Sequence, residues 1–207
     1  MLSIANSLKG CRCLIPDLTG FGDTPHPEYP LTVDDYMDAV LQKLNEKNID
    51  RFCIIAHSFG ARIAIKIAAK YPERVSRLIM TGAAGIKPKR GLKYYFKVYL
   101  YKLKKRLGIK SNAGSEDYKA LSGAMKGTFV NVVNEDLTAL LPGIKADTLL
   151  VFGENDTATP LYMARKMEKL IPSAALIVYK DAGHYAYIER SAEFNAAVNS
   201  YLSTHNA

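Results

Sequence analysis

The strongest constraint on the fold is a serine at an abrupt change of hydrophobic pattern. Residues 52–56 form a short apolar run typical of a buried strand, and residues 63–71 carry apolar side chains at helical spacing. Ser58 lies between them, with Ala56 two positions before it and Gly60 two positions after it. Small residues at both positions let a strand and a helix approach each other across a tight, strained turn. The pattern predicts a serine hydroxyl that stands clear of a sheet, although a simple helix N-cap is the alternative role.

Short apolar runs alternate with longer segments of helical spacing along most of the chain. This alternation is typical of an α/β fold, in which helices cover a mostly parallel sheet. Thr32 followed by Asp35 predicts the start of a helix that ends near Asn48. The predicted strands are residues 11–15, 52–56, 75–81, 148–152 and 175–179, and a closing helix is predicted over 191–202.

Residues 86–141 interrupt this alternation. They lack buried-strand patterns and carry an amphipathic pattern instead, with aromatic residues on one face and lysines on the other. The sequence therefore predicts one core built from residues 1–85 and 142–207, with a helical insertion over 86–141. The aromatic face includes Tyr95, Phe96 and Tyr99.

The positive charge of the chain is concentrated in that insertion. The formal net charge is +8, and ten basic residues with no acidic residue lie between Lys87 and Lys110. Outside this run the chain has 18 basic and 20 acidic residues, so the rest of the chain is nearly neutral. The lysine face is most simply a solvated surface, and peripheral contact with an anionic membrane is an alternative role. Basic residues interleaved with tyrosines can also bind nucleic acid, although nucleic acid is not an expected partner.

Composition argues against several other classes of protein. No apolar run approaches the roughly 18 residues of a membrane-spanning helix, and no signal peptide is visible, so a cytoplasmic protein is predicted. The three cysteines, Cys11, Cys13 and Cys53, are an odd number in apolar surroundings and are predicted to be reduced packing residues. The four histidines lack the paired spacings of zinc ligands, so no metal site is expected.

Two more candidate residues closely follow predicted strands. Asp156 comes after the strand at 148–152, and His184 comes after the strand at 175–179. Functional residues of open α/β sheets lie at such strand ends. Alone, Asp156 is equally well explained as a turn or capping residue, and a lone histidine near the end of an element is more often a surface or capping group. The order Ser58, Asp156, His184 is the order of the residues in one group of serine hydrolases.

Four segments resemble loops of the α/β-hydrolase superfamily. The resemblance implies that Ser58 is the nucleophile, His184 the general base and Asp156 the acid that orients it, with the Phe59 N–H donating to an oxyanion. Glu154 is the rival acid, and no catalytic role is assigned to His57. The segments are Asp-Leu-Thr-Gly-Phe-Gly-Asp-Thr at 17–24, which is structural, Ala-His-Ser-Phe-Gly at 56–60, Phe-Gly-Glu-Asn-Asp-Thr-Ala-Thr-Pro at 152–160 and Ala-Gly-His-Tyr-Ala-Tyr-Ile-Glu at 182–189.

The chemistry implied by this resemblance is acyl transfer through an acyl-enzyme, with no cofactor. A small-molecule carboxylic ester or related acyl compound is the expected substrate, and thioester, lactone or C–C bond hydrolysis are alternatives. A serine at position 58 argues against the dehalogenase and epoxide-hydrolase branches, which use an aspartate there. The insertion takes the place of a cap, where Tyr95, Phe96 and Tyr99 are candidates for lining an apolar acyl pocket, although packing is the simpler role. A catalytically idle fold used for binding is the competing functional class.

The resemblance begins only at the fourth of the superfamily's usual eight strands. The first three strands and the His-Gly loop, which supplies a second oxyanion donor, have no counterpart in the sequence. Loss of one such donor lowers kcat on the order of 10²- to 10³-fold. We therefore expect an N-terminally incomplete hydrolase, or a short form with altered strand pairing that another chain completes. Either way, the strands at 11–15 and 52–56 are expected to present edges that need new partners.

Overall fold

The apolar runs from residue 52 onward form a parallel sheet. The computed structural model describes residues 1–8, 10–88, 121 and 123–203. Within them, four strands lie in the order β1-β2-β3-β4, and every neighbouring pair is parallel. The bounds are β1 Phe52–His57, β2 Val75–Thr81, β3 Asp147–Gly153 and β4 Ala174–Tyr179. The α/β class and the strands predicted from residue 52 onward are confirmed.

Helices cover both faces of this sheet. Along β2 and β3, alternate side chains pack into two different clusters, one on each face. One face is covered by α2, α3, a 3-10 helix and α5, and the other by α1, α6 and α7. The helices are α1 Leu2–Ser7, α2 Val33–Glu46, α3 Phe59–Lys70, α4 Gly123–Asn134, α5 Leu161–Leu170, α6 Ala186–Glu189 and α7 Ser191–Ser203, with the 3-10 helix at Thr138–Gly143. Among the residues that the structure describes, no helix combines the length and the apolar character of a membrane-spanning segment.

The start of α2 follows the capping pattern in the sequence. The Asp35 N–H donates to the Thr32 hydroxyl at 3.3 Å, and the Thr32 N–H donates to the Asp35 carboxylate at 2.6 Å. Each side chain thereby satisfies a backbone N–H that the helix itself leaves unpaired. The predicted helix start is confirmed.

The strand predicted at residues 11–15 is not formed. These residues have no regular secondary structure and are exposed, including Leu14 and Ile15. In the described part of the chain β1 pairs only with β2, and no strand runs beside residues 11–15. Because no described strand lies beside residues 11–15, water can form hydrogen bonds with their backbone N–H and C=O groups.

The predicted packing role of the cysteines is wrong. Cys11, Cys13 and Cys53 are free, as expected, but all three are exposed. The first two lie in the segment that forms no strand, and Cys53 lies on β1 at the edge of the described sheet. Apolar neighbours in the sequence therefore do not bury these cysteines, because the described sheet ends at β1.

Most of the predicted insertion lies outside the described residues. This applies to Tyr95, Phe96 and Tyr99 and to every member of the basic run except Lys87. The described part includes α4, which packs on the loop before α2. There the Leu31 N–H donates to the Thr128 hydroxyl at 2.8 Å, and the Asn131 side-chain amide donates to the Leu31 carbonyl at 3.2 Å. The domain boundaries remain a prediction.

Candidate active site

Ser58 occupies a strained turn between β1 and α3. Its φ of 49° and ψ of −111° lie in a region that L-amino acids rarely adopt, at a cost of about 1–3 kcal/mol. The backbone is held there from both sides, because the Ser58 N–H donates to the Thr81 carbonyl at 3.1 Å and the Ala84 N–H donates to the Ser58 carbonyl at 3.2 Å. Ser58 is the N-cap of α3, but its hydroxyl caps no helix N–H. The hydroxyl is therefore available for another partner.

That partner is His184. Ser58 Oγ lies 2.9 Å from His184 Nε2, and His184 Nδ1 lies 2.9 Å from Asp156 Oδ2. The three residues follow the carboxyl ends of β1, β4 and β3, which a parallel sheet brings to one edge. The structure thus brings together, in one hydrogen-bonded chain, three residues that are up to 126 positions apart.

Asp156 is buried and held by hydrogen bonds on both oxygens. The N–H groups of Ala158 and Thr159 donate to Oδ1 at 2.9 and 2.8 Å, and the Thr159 hydroxyl donates to Oδ2 at 2.7 Å. Burial raises the pKa of Asp156, but the hydrogen bonds from His184 and Thr159 outweigh it, so the pKa lies below its ordinary value. Asp156 is consequently a carboxylate at neutral pH. The rival acid, Glu154, is exposed, and its N–H donates to the Tyr179 carbonyl.

His57 lies against His184 although the sequence assigned it no role. The two ring centroids are 4.8 Å apart, and the Tyr187 ring is also 4.8 Å from His57. His57 Nδ1 lies 3.0 Å from the Thr81 carbonyl, which it meets as an N–H donor. Burial, followed by the nearby His184, lowers the pKa of His57 to about 4. At neutral pH the His57 ring is therefore uncharged.

Phe59 follows the serine and begins α3. As the first residue of a helix, it has an N–H without an acceptor inside the helix, at the positive end of the helix dipole. Its ring makes an edge contact with Tyr36 at 5.0 Å and stacks on Phe21 at 5.7 Å. Phe21 comes from the loop at 17–24 and is 46% exposed. The sequence did not predict this aromatic cluster, because the contact depends on how that loop folds.

Two glycines allow the loops of the site to meet. A Cβ at Gly82, whose φ is +50°, would lie 3.0 Å from both Nδ1 and the carbonyl oxygen of His184. A Cβ at Gly153 would collide with the carbonyl oxygens of Ala182 and Gly183. The loop of Asp156 and the loop of His184 therefore pass in backbone contact, which fixes the distance between the two side chains.

Thr159 was missed by the sequence prediction. Its hydroxyl contacts Asp156 Oδ2 at 2.7 Å and lies 3.4 Å from His184 Nδ1. The available signal was its position three residues after an aspartate and directly before Pro160. In that arrangement an aspartate commonly accepts hydrogen bonds from the residues that follow it.

Residues 4–197 match the α/β hydrolase family. The chain is 25% identical to a 2-hydroxymuconate semialdehyde hydrolase from Pseudomonas sp. (strain CF600) over 96% of this chain and 79% of the relative. It is 26% identical to Lipase 3 from Moraxella sp. over 90% of this chain and 67% of that lipase.

A similar fold occurs in a meta-cleavage product hydrolase from Pseudomonas fluorescens IP01, with a TM-score of 0.75 and 23% identity. That similarity covers 99% of this chain and 85% of the other. The family match extends over nearly all of the chain, and the described residues form a parallel sheet flanked by helices, as this fold requires. The chain belongs to the α/β-hydrolase family.

Proposed function

We propose that this protein is a serine hydrolase in which Ser58 attacks a substrate carbonyl. The observation that carries the proposal is the continuous hydrogen-bonded chain from Ser58 Oγ through His184 to the buried Asp156 carboxylate, with 2.9 Å at both links. A serine hydroxyl is a weak nucleophile until a base accepts its proton. His184 is within reach to do so, and the Asp156 carboxylate stabilises the imidazolium that results.

The reaction then proceeds in two halves. Ser58 Oγ bonds to the carbonyl carbon while His184 takes the hydroxyl proton, and the Phe59 N–H donates to the oxyanion. The tetrahedral intermediate collapses, His184 protonates the leaving group, and an acyl-serine remains. Water then attacks the acyl carbon while His184 takes its proton. The bond between the acyl carbon and Ser58 Oγ breaks, His184 returns the proton to Oγ, and the carboxylic acid leaves.

Cleavage of a C–C bond is the first candidate for the bond broken. The support comes from the 2-hydroxymuconate semialdehyde hydrolase and from the fold of the meta-cleavage product hydrolase. A carbon leaving group departs only when its electron pair is spread over a conjugated carbonyl system and a proton is delivered to it. In this proposal His184, whose Nε2 lies 2.9 Å from Ser58 Oγ, delivers that proton. We infer a substrate in which a ketone or aldehyde carbonyl is joined to a conjugated enol acid.

Ester hydrolysis is the second candidate. The likeness to Lipase 3 supports it at a similar level of identity, 26%. The same residues would act, and His184 would protonate a departing alkoxide instead of a carbon. The two candidates therefore differ in the leaving group and share the acyl-serine.

The first experiment tests the nucleophile with a fluorophosphonate probe, which forms a covalent bond with an activated serine. We expect labelling of the wild type and of the exposed control Ser200→Ala, and none of Ser58→Ala. His184→Ala and Asp156→Asn should label slowly, and the labelling rate of the asparagine variant should fall on the order of 10⁴-fold. Glu154→Gln should behave as the wild type does. A folded protein that the probe does not label would overturn the proposal and favour an idle fold used for binding.

The second experiment separates the two substrate classes. 2-Hydroxymuconate semialdehyde loses its long-wavelength absorbance when cleavage shortens the conjugated system, and p-nitrophenyl esters of graded acyl length release a coloured phenolate. We expect a higher kcat/KM for the conjugated substrate than for any ester, with both activities lost in Ser58→Ala. The reverse order would assign the protein to ester hydrolysis.

A further inference from the structure

We propose that Thr159 is a positioning residue for the reaction, acting through Asp156 by a hydrogen bond from its hydroxyl. This inference rests on the proposed function, because it assigns a role within the same chain of residues. It concerns the side chain alone, since the Thr159 N–H also donates to Asp156 and would remain after substitution.

The hydroxyl completes the set of donors around the carboxylate. Oδ1 accepts two backbone N–H groups, from Ala158 and Thr159. Oδ2 accepts only side-chain donors, the Thr159 hydroxyl at 2.7 Å and the His184 ring N–H at 2.9 Å. The oxygen that orients His184 is therefore held in place by Thr159, and the backbone secures the other oxygen.

The position of the threonine makes this contact specific. Thr159 is 5% exposed and the Asp156 side chain is fully buried, so water does not readily replace the hydroxyl. Its oxygen is also 3.4 Å from His184 Nδ1, so it lies beside the hydrogen bond between the base and the acid. Thr157, two residues earlier in the same loop, is exposed and offers a matched control.

The hydroxyl has two separable effects. It limits rotation of the carboxylate, which keeps Oδ2 aligned with the His184 N–H. It also takes up part of the negative charge on Oδ2, and this hydrogen bond is among the causes that lower the pKa of Asp156. Without the hydroxyl, the carboxylate is less well aligned with the His184 N–H, and its negative charge is no longer shared with Thr159.

Thr159→Val removes the hydroxyl at nearly constant volume. We expect kcat and the rate of fluorophosphonate labelling to fall about five- to thirtyfold, because a hydrogen bond to a charged group is lost. KM should stay within about twofold, since Thr159 contacts the acid and not the substrate. The pH dependence of kcat/KM should differ from that of the wild type, because the carboxylate that pairs with His184 has lost a donor. The other titratable groups that face this pair among the described residues are His57 and Tyr185, and both are unchanged in the variant.

Thr159→Ser keeps the hydroxyl and should remain within about twofold of the wild type in both kcat and pH profile, as should Thr157→Val. If Thr159→Val folds poorly, Thr159→Ala gives the same comparison without added atoms. The proposal is overturned if the folded valine or alanine variant matches the wild type, or if the serine variant is impaired as much as the valine variant, which would indicate packing. A wild type that the probe does not label would refute the proposed function instead.

Discussion

The imidazole of His57 is kept neutral by its surroundings. It is half-buried among the rings of His184, Tyr185 and Tyr187, and its pKa is lowered to about 4, first by burial and then by His184. Asp156 and the amino group of Met1 are the other charged groups near enough to influence it, in opposite directions. In the unfolded chain the same ring titrates near its ordinary value of 6.5.

This difference predicts a specific loss of stability in acid. Between pH 6.5 and about 4 the unfolded chain binds a proton at His57 that the folded protein does not, so folding stability decreases as the pH falls. At pH 5 the penalty from this residue is about 1–2 kcal/mol, allowing for its partial exposure. His57→Phe keeps a ring and removes the titration. We expect urea unfolding of the variant to show a smaller loss of stability between pH 7 and pH 5.

In His57→Phe the Thr81 carbonyl keeps one hydrogen-bond donor, because the Ser58 N–H still donates to it. The matched control is His26→Phe at an exposed histidine, which should show the wild-type pH dependence. Equal pH dependence in His57→Phe and the wild type would contradict the argument.

At the scale of elements, one lysine connects three parts of the fold. Lys66 lies in the middle of α3, and its side chain is 4% exposed. Its ammonium group bonds to Asp34 in the first turn of α2 at 2.6 Å and to Glu135, directly after α4, at 2.5 Å. Arg62, one turn earlier, donates to the Glu135 carbonyl at 2.9 Å. The helix that begins at the serine turn is thereby tied to the helix before it and to the end of α4.

Removing the two carboxylates should lower the free energy of unfolding more than removing the Lys66 ammonium group. The double variant Asp34→Asn with Glu135→Gln leaves a buried cation without a carboxylate, and we expect it to lower the free energy of unfolding by about 3 kcal/mol. Lys66→Met removes the buried charge, and the carboxylates left behind are 45% and 30% exposed, so water can solvate them. Its cost should stay within about 1 kcal/mol.

Urea unfolding at pH 7 measures both costs. Lys70→Met is the control, because Lys70 also pairs with Asp34 but is 44% exposed, and a surface pair contributes little. If Lys66→Met proves more destabilising than the double variant, the burial of the ammonium group is not what governs this contact.

The sequence predicted those elements whose pattern follows directly from burial. Strands β1 to β4 are apolar runs because helices cover both faces of the sheet. The capping residues of α2 predict where that helix begins. Ser58, Asp156 and His184 could be brought together in advance because each follows a strand of a parallel sheet. Thr159 and the contact of Phe21 with Phe59 could not, since they depend on the path of loops that periodicity does not describe.

At the scale of the whole molecule, the described sheet has an interior and an edge of different character. β2 and β3 each lie between two strands, and nearly all of their side chains are buried. β1 has a strand only on its β2 side within the described residues, and residues 11–15 are exposed and outside any strand. An apolar run such as Cys-Arg-Cys-Leu-Ile becomes a strand only where another strand accepts its hydrogen bonds.

Hydrogen exchange should map this difference. Backbone amides that lack a protein acceptor exchange through small local fluctuations, whereas amides in the interior of a sheet exchange only through larger unfolding events. We expect peptides covering 11–15 to take up deuterium within seconds at neutral pH, and peptides covering β2 and β3 to be the slowest in the described chain. Exchange measured by mass spectrometry at several protein concentrations tests this. Protection of 11–15 comparable to that of β2 would mean that this segment pairs as a strand in solution, and a protection that grows with concentration would place the pairing strand on a second molecule.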